Sequence, residues 1–139
     1  MTIFEDSTWT IKDIIAHISA WHWQLVEDVD SILSNKKPWY GGEDEAGKEN
    51  EFNRREVEKR KNWSLEKILQ EREDSFMAVI ERTRRVNDEE WTRESGHNWE
   101  DGTPVTVRSL FEYNYEGADH EGGHAKQVLE WRKIQTQSQ

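Results

Sequence analysis

Apolar residues recur along this chain with helical spacing, and four segments carry the pattern. From Thr10 to Leu33 a stripe runs through Ile11, Ile14, Ile15, Ile18, Leu25, Val26, Val29, Ile32 and Leu33. From Ser64 to Val86 a second stripe, expected to be buried, runs through Leu65, Ile68, Leu69, Phe76, Val79 and Ile80. From Val107 to Lys133 a third shows two faces. One is aliphatic (Val107, Phe111, Ala118, Gly122, Ala125, Leu129), and the other carries Tyr113, Gly117, His120, His124 and Trp131. Between the first two, residues 49–61 predict a shorter, very polar helix anchored by Phe52 and Val57. No run alternates with period two for long enough to predict a strand.

The boundaries carry their own signals. Trp9-Thr10, Trp63-Ser64 and Val105-Thr106 each place a Ser or Thr where it can cap free N–H groups. In each, the preceding apolar residue can pack on one five positions later, Ile14, Ile68 or Leu110. Asp13 supplies the acidic partner of a capping box. Lys36, Lys37, Pro38 and Gly41-Gly42 end the first helix, and Asn87 to Pro104 reads as a loop with a turn at Asp101-Gly102. The predicted fold is therefore all-α: one domain over residues 1–139, three long helices and one shorter one, with residues 135–139 frayed. Up-down bundles place ligand sites between facing helices.

Composition changes this picture in two ways. Only 33% of the 139 residues are hydrophobic and 35% are charged, so eight Trp, four Phe and three Tyr must supply much of the core. The formal net charge of −10 disfavours a nucleic-acid partner. No apolar run of membrane-spanning length and no signal-peptide pattern is present, so no membrane partner and a cytoplasmic location are expected. The absence of Cys removes disulfides, thiolate ligands and a Cys nucleophile.

The candidate chemistry lies in five histidines. His97 reads as a solvated loop residue. His22, one turn after Ile18, reads as a core-edge histidine bonded to a neighbouring acceptor. It sits about 140° around the helix from His17, too far for both rings to reach one ion. His120 and His124 are i, i+4 on one helical face, so both rings can reach one point. The competing reading of that pair is two surface histidines. His120-Glu-Gly-Gly-His124 matches the zinc-protease HExxH spacing. However, the 15 residues after His124 contain no His, Cys or Asp, and Glu130 lies about 120° away around the helix. A third ligand must come from elsewhere, and His17 is the best donor. Three imidazoles leave an open position for water.

Three blocks in order, "WTIKDIIAHISAW" (9–21), "EFNRREV" (51–57) and "HEGGHAKQV" (120–128) followed by Trp131, make the chain resemble the DinB/YfiT-like superfamily of metal-binding four-helix proteins. More narrowly, they resemble its ClbS/DfsB branch. The resemblance covers nearly the whole chain. It implies a divalent metal, zinc or nickel, on His17, His120 and His124. It also implies a small-molecule substrate with a low-molecular-weight thiol as a candidate co-substrate, and thiol transfer or hydrolysis of the detoxification type. Glu121 is the candidate catalytic residue, orienting a ligand or acting as base, against the alternative of a solvated glutamate. Trp21, Tyr113, Tyr115 and Trp131 are candidate pocket walls, against plain core packing. Two departures stand out. Only a short segment precedes the first block, where the family has a further long helix, so a homodimer is expected to supply the missing wall. Gly122-Gly123 costs roughly 1 kcal/mol per residue relative to Ala in a helix. The alternative functions are a metal-free ClbS-like hydrolase or sequestering protein, and a non-enzymatic helical interaction module.

Overall fold

A computed structural model describes residues 9–38, 48–99, 101–113 and 133, and these are helical with no named strand. Five helices lie within them: α1 (Ile11–Leu33), α2 (Lys48–Lys59), α3 (Leu65–Arg84), α4 (Asp88–Thr92) and α5 (Val107–Tyr113). The rest of the expected last helix, residues 114–132, and the short segment before the first block lie outside the described residues. No described helix is long and apolar enough to cross a membrane.

Each long element starts where a hydroxyl can satisfy its free N–H groups. Thr10 and Asp13 form a reciprocal capping box at α1, with bonds of 3.2 and 2.9 Å. The Ser64 hydroxyl accepts from Lys67 N–H at the start of α3. Thr106 and Ser109 exchange side-chain bonds at the start of α5. α1 ends at Asn35, whose φ of 56° is a left-handed conformation that Asn tolerates better than most residues. Lys36 N–H then reaches back to Ser31 C=O at 2.8 Å, which closes the helix end.

α1 is the helix on which the others assemble, for it contacts α2, α3 and α5. Asp13 pairs with Lys61 while Trp21 bonds Asn53, so α2 runs antiparallel to α1. His22 meets Ser75 and Asp30 meets Arg82, so α3 runs parallel to α1. Two packed regions result. An aliphatic cluster joins Leu25, Val29 and Ile32 of α1 to Val105, Val107 and Leu110, with Trp99 of the preceding loop against it. An aromatic cluster joins Ala20 and Trp21 to Phe52. Phe52 and Val57 are the buried anchors of α2, as its sequence predicts.

Two expectations need correction. Leu65, Leu69 and Phe76 were expected to be buried, but they are 54%, 47% and 43% exposed. Ile68 and Ser75 turn into the molecule instead, while Phe76, though partly exposed, keeps its ring 5.8 Å from that of His22 on α1. The stretch 87–104 is also more ordered than a loop. Asn87 and Glu90 form a capping box that starts the five-residue α4, whose Trp91 ring lies 5.6 Å from that of Phe111. Beyond it, an isolated bridge pairs Asn98 with Pro104 around a turn in which Gly102 has φ of 84°. Backbone and hydroxyl donors of Thr103 hold the Asp101 carboxyl there below its ordinary range.

α2 and α3 are joined through one buried charge. The Arg60 guanidinium, 4% exposed, donates to both Glu71 oxygens at 2.7 and 2.9 Å and to Glu56 C=O. Removing a partner from a buried pair leaves an uncompensated charge. Glu71→Ala is therefore expected to destabilise the protein by about 3 kcal/mol, and Arg60→Met by less. Urea titration followed by circular dichroism checks this ordering.

Candidate metal centre

The capping box that starts α1 also builds one end of the candidate site. With Thr10 and Asp13 locked together, the helix presents Asp13 and His17 inward, 2% and 3% exposed. The Asp13 carboxylate is engaged by Thr10 N–H and by Lys61 at 3.6 Å, so it serves as a structural anchor. Lys12 strengthens the same junction by donating to the carbonyls of Lys61 and Trp63 at 3.0 and 2.9 Å.

His17 sits in an aromatic enclosure. Its ring lies 5.4 Å from Trp9 on one side and 6.5 Å, edge-on, from Trp21 on the other. Trp21 is itself held by α2, since its indole N–H donates to Asn53 Oδ1 at 2.7 Å and its ring packs on Phe52 at 4.5 Å. The Arg55 guanidinium lies 5.6 Å over the far partner, Phe52. An imidazole suits zinc or nickel as a ligand, and a ligating ring works best when its surroundings fix its orientation. The buried ring of His17 fits that requirement. No group of three His, Asp or Glu side chains capable of holding an ion occurs among the described residues.

His22 is committed elsewhere. Its Nδ1 lies 3.0 Å from Ser75 Oγ on α3, and its ring lies 5.8 Å from Phe76. The Ser75 hydroxyl also lies 3.0 Å from Arg72 C=O, within hydrogen-bond reach. His97, half-buried, belongs to the bridged loop, where its carbonyl accepts from Val105 N–H.

Of the candidate residues, His17 and Trp21 are thus brought together. Tyr113 ends α5, where its backbone alone is described. Tyr115, His120, Glu121, His124 and Trp131 lie outside the described residues. Sequence reasoning gave no role to Trp9 beyond packing at the helix start, and none to Asn53. Trp9 folds back on His17, and Asn53 fixes Trp21 from 32 residues away. The one available signal for Asn53 was its place in the "EFNRREV" block.

A family model described as the DinB superfamily matches residues 2–128 of this chain. No curated protein and no solved structure gives a significant match.

Asn53→Leu removes the acceptor of a buried indole and is expected to cost about 1–3 kcal/mol. His22→Ala is expected to lower stability by about 1 kcal/mol while leaving the metal content of the purified protein at the parent level. Thermal unfolding and elemental analysis of the folded variants check both. Metal loss in His22→Ala with metal kept in His17→Ala would reverse the roles of the two histidines.

Proposed function

The chain belongs to the DinB superfamily, and from that premise we propose that it is a metal-dependent enzyme acting on a reactive small molecule, by thiol transfer or hydrolysis. The observation that carries this reading is His17, a buried imidazole enclosed by Trp9 and Trp21 on the helix around which the fold assembles. Its partners in the proposal are His120 and His124, whose i, i+4 spacing lets two rings share one ion. A divalent ion on three imidazoles supplies Lewis acidity, lowering the pKa of a bound water or thiol toward neutrality. The chain has no Cys, so a thiol in the reaction is brought by a second substrate.

The protein's own residues then have separable tasks. His17 contributes a ligand whose position is set by the Thr10–Asp13 box below it and the indoles beside it. Trp9 and Trp21 exclude water from one side and offer flat apolar surface to a substrate. Glu121, directly after a proposed ligand, is assigned to orienting a ligand on another helix. A metal-free reading, in which the aromatic enclosure itself binds the small molecule, draws on the same rings. The finer placement in the ClbS/DfsB branch belongs with it.

Tag-free protein is expected to carry about one zinc or nickel ion per chain. His17→Ala and His124→Ala are each expected to abolish that content while the protein stays folded. Elemental analysis after exhaustive dialysis is the measurement. Metal content equal to the parent in His124→Ala would remove the three-histidine site. A metal-free parent that still binds small aromatic compounds would favour the second reading.

A further inference from the structure

The bridged loop between α4 and α5 turns at Asp101-Gly102, the one Asp-Gly pair in the sequence. Such a pair has a chemistry of its own. The Gly102 nitrogen, on a residue without a Cβ to shield it, can attack the side-chain carboxyl carbon of Asp101. A C–N bond forms, the carboxyl C–OH bond breaks, and the amide proton leaves with the hydroxyl as water. Water then opens the cyclic imide. Opening at the main-chain carbonyl leaves the chain running through the Asp101 Cβ, as isoaspartate, with no net change in composition. We propose that Asp101-Gly102 is where this chain isomerises spontaneously, and that Thr103 restrains the reaction in the folded protein.

Three features of the turn oppose the attack. The nucleophile is engaged, for Gly102 N–H donates to Trp99 C=O at 2.9 Å. The electrophile is pinned, for Asp101 Oδ1 accepts from the Thr103 hydroxyl at 2.6 Å and from Thr103 N–H at 2.9 Å, which fixes the rotation of the side chain. The leaving group is poor. Attack proceeds on the protonated carboxyl, which expels water, and the Thr103 hydroxyl, with its N–H second, holds that carboxyl below its ordinary range. Less of the reactive form is therefore present at neutral pH. The surrounding backbone keeps this arrangement in place, with Trp99 N–H on Thr103 C=O at 2.8 Å and Val105 N–H on His97 C=O at 2.9 Å. The turn matters to the fold because it leads directly into Val105 and Val107, both fully buried in the aliphatic cluster. Isoaspartate adds a backbone atom inside this turn and so shifts the seat of Val105. The inference is independent of the reading of the histidine site.

The test is to age the full chain in neutral buffer at physiological temperature and to read isoaspartate at residue 101 by electron-transfer peptide mass spectrometry. In the parent, isoaspartate is expected to form at least about tenfold faster in urea, where the turn is lost, than in the folded state. Thr103→Val keeps the N–H and removes the hydroxyl at an exposed position. In the folded state it is expected to isomerise at least about threefold faster than the parent, whereas Thr103→Ser, which keeps the hydroxyl, should age at the parent rate. Circular dichroism confirms that each variant is folded. Should Thr103→Val misfold, the comparison of folded and urea-unfolded parent decides alone. A folded parent that isomerises as fast as the unfolded chain overturns the proposal. So does a folded Thr103→Val that ages at the parent rate, or an unfolded chain that forms no isoaspartate at residue 101.

Discussion

Among the described residues, α2, α3 and α5 all pack on α1. A chain with so few aliphatic residues cannot give each helix its own deep core, and it concentrates burial in one element. Twelve of the 23 residues of α1 are buried, among them Leu25, Val29 and Ile32 in the aliphatic cluster and Ala20 and Trp21 against Phe52 of α2. A helix buried nearly all round has to be surrounded, and α2, α3 and α5 each take a side. Small residues at 16, 19 and 20 let neighbours approach closely. The polar residues this arrangement traps, Asp13, His17 and Asp28, are then the ones that need specific surroundings.

The remaining cohesion comes from polar groups used as positioning devices. Arg60 with Glu71 ties α2 to α3, Asp13 with Lys61 ties α1 to the end of α2, and Asp30 with Arg82 ties α1 to α3. Three indoles combine area with an anchored N–H: Trp21 to Asn53, Trp23 to Glu71 and Trp99 to Ser109. Each such bond fixes the rotation of a large flat side chain, which an aliphatic core does by shape alone. At the histidine end this matters most, because one wall beside His17, Trp21, is a ring whose angle is set by Asn53 on another helix.

Much of this was legible in the sequence, and what was missed follows from what local patterns encode. Capping is local chemistry over four residues, so the starts at Thr10, Ser64 and Thr106 could be read directly. α4 was passed over because five residues with one large apolar side chain carry no period. Its one signal was the Asn87–Glu90 pair. Periodicity placed Leu65, Leu69 and Phe76 on a common arc of α3 but could not say which edge of that arc meets α1. Ile68 and Ser75 took that place, and a buried Ser leaves no mark in a hydrophobic pattern. At the candidate site, His17 stood out as a histidine of the first long helix within the "WTIKDIIAHISAW" block. The role of Asn53 was not, because a bond across 32 residues exists only once α2 has docked.

The first turns of a helix are ordinarily where it frays, since their N–H groups lack partners within the helix. In α1 that end is tied down three times, by the Thr10–Asp13 box, by Lys61 on Asp13, and by Lys12 on the carbonyls of Lys61 and Trp63. Opening this end therefore requires pulling α1 away from the α2–α3 junction, and the cheap local route to solvent is closed. Backbone amides around His17 should consequently exchange with deuterium about as slowly as those beside Val29, through near-global unfolding, and His17 inherits the rigidity of the domain's centre although it stands in only the second turn of its helix.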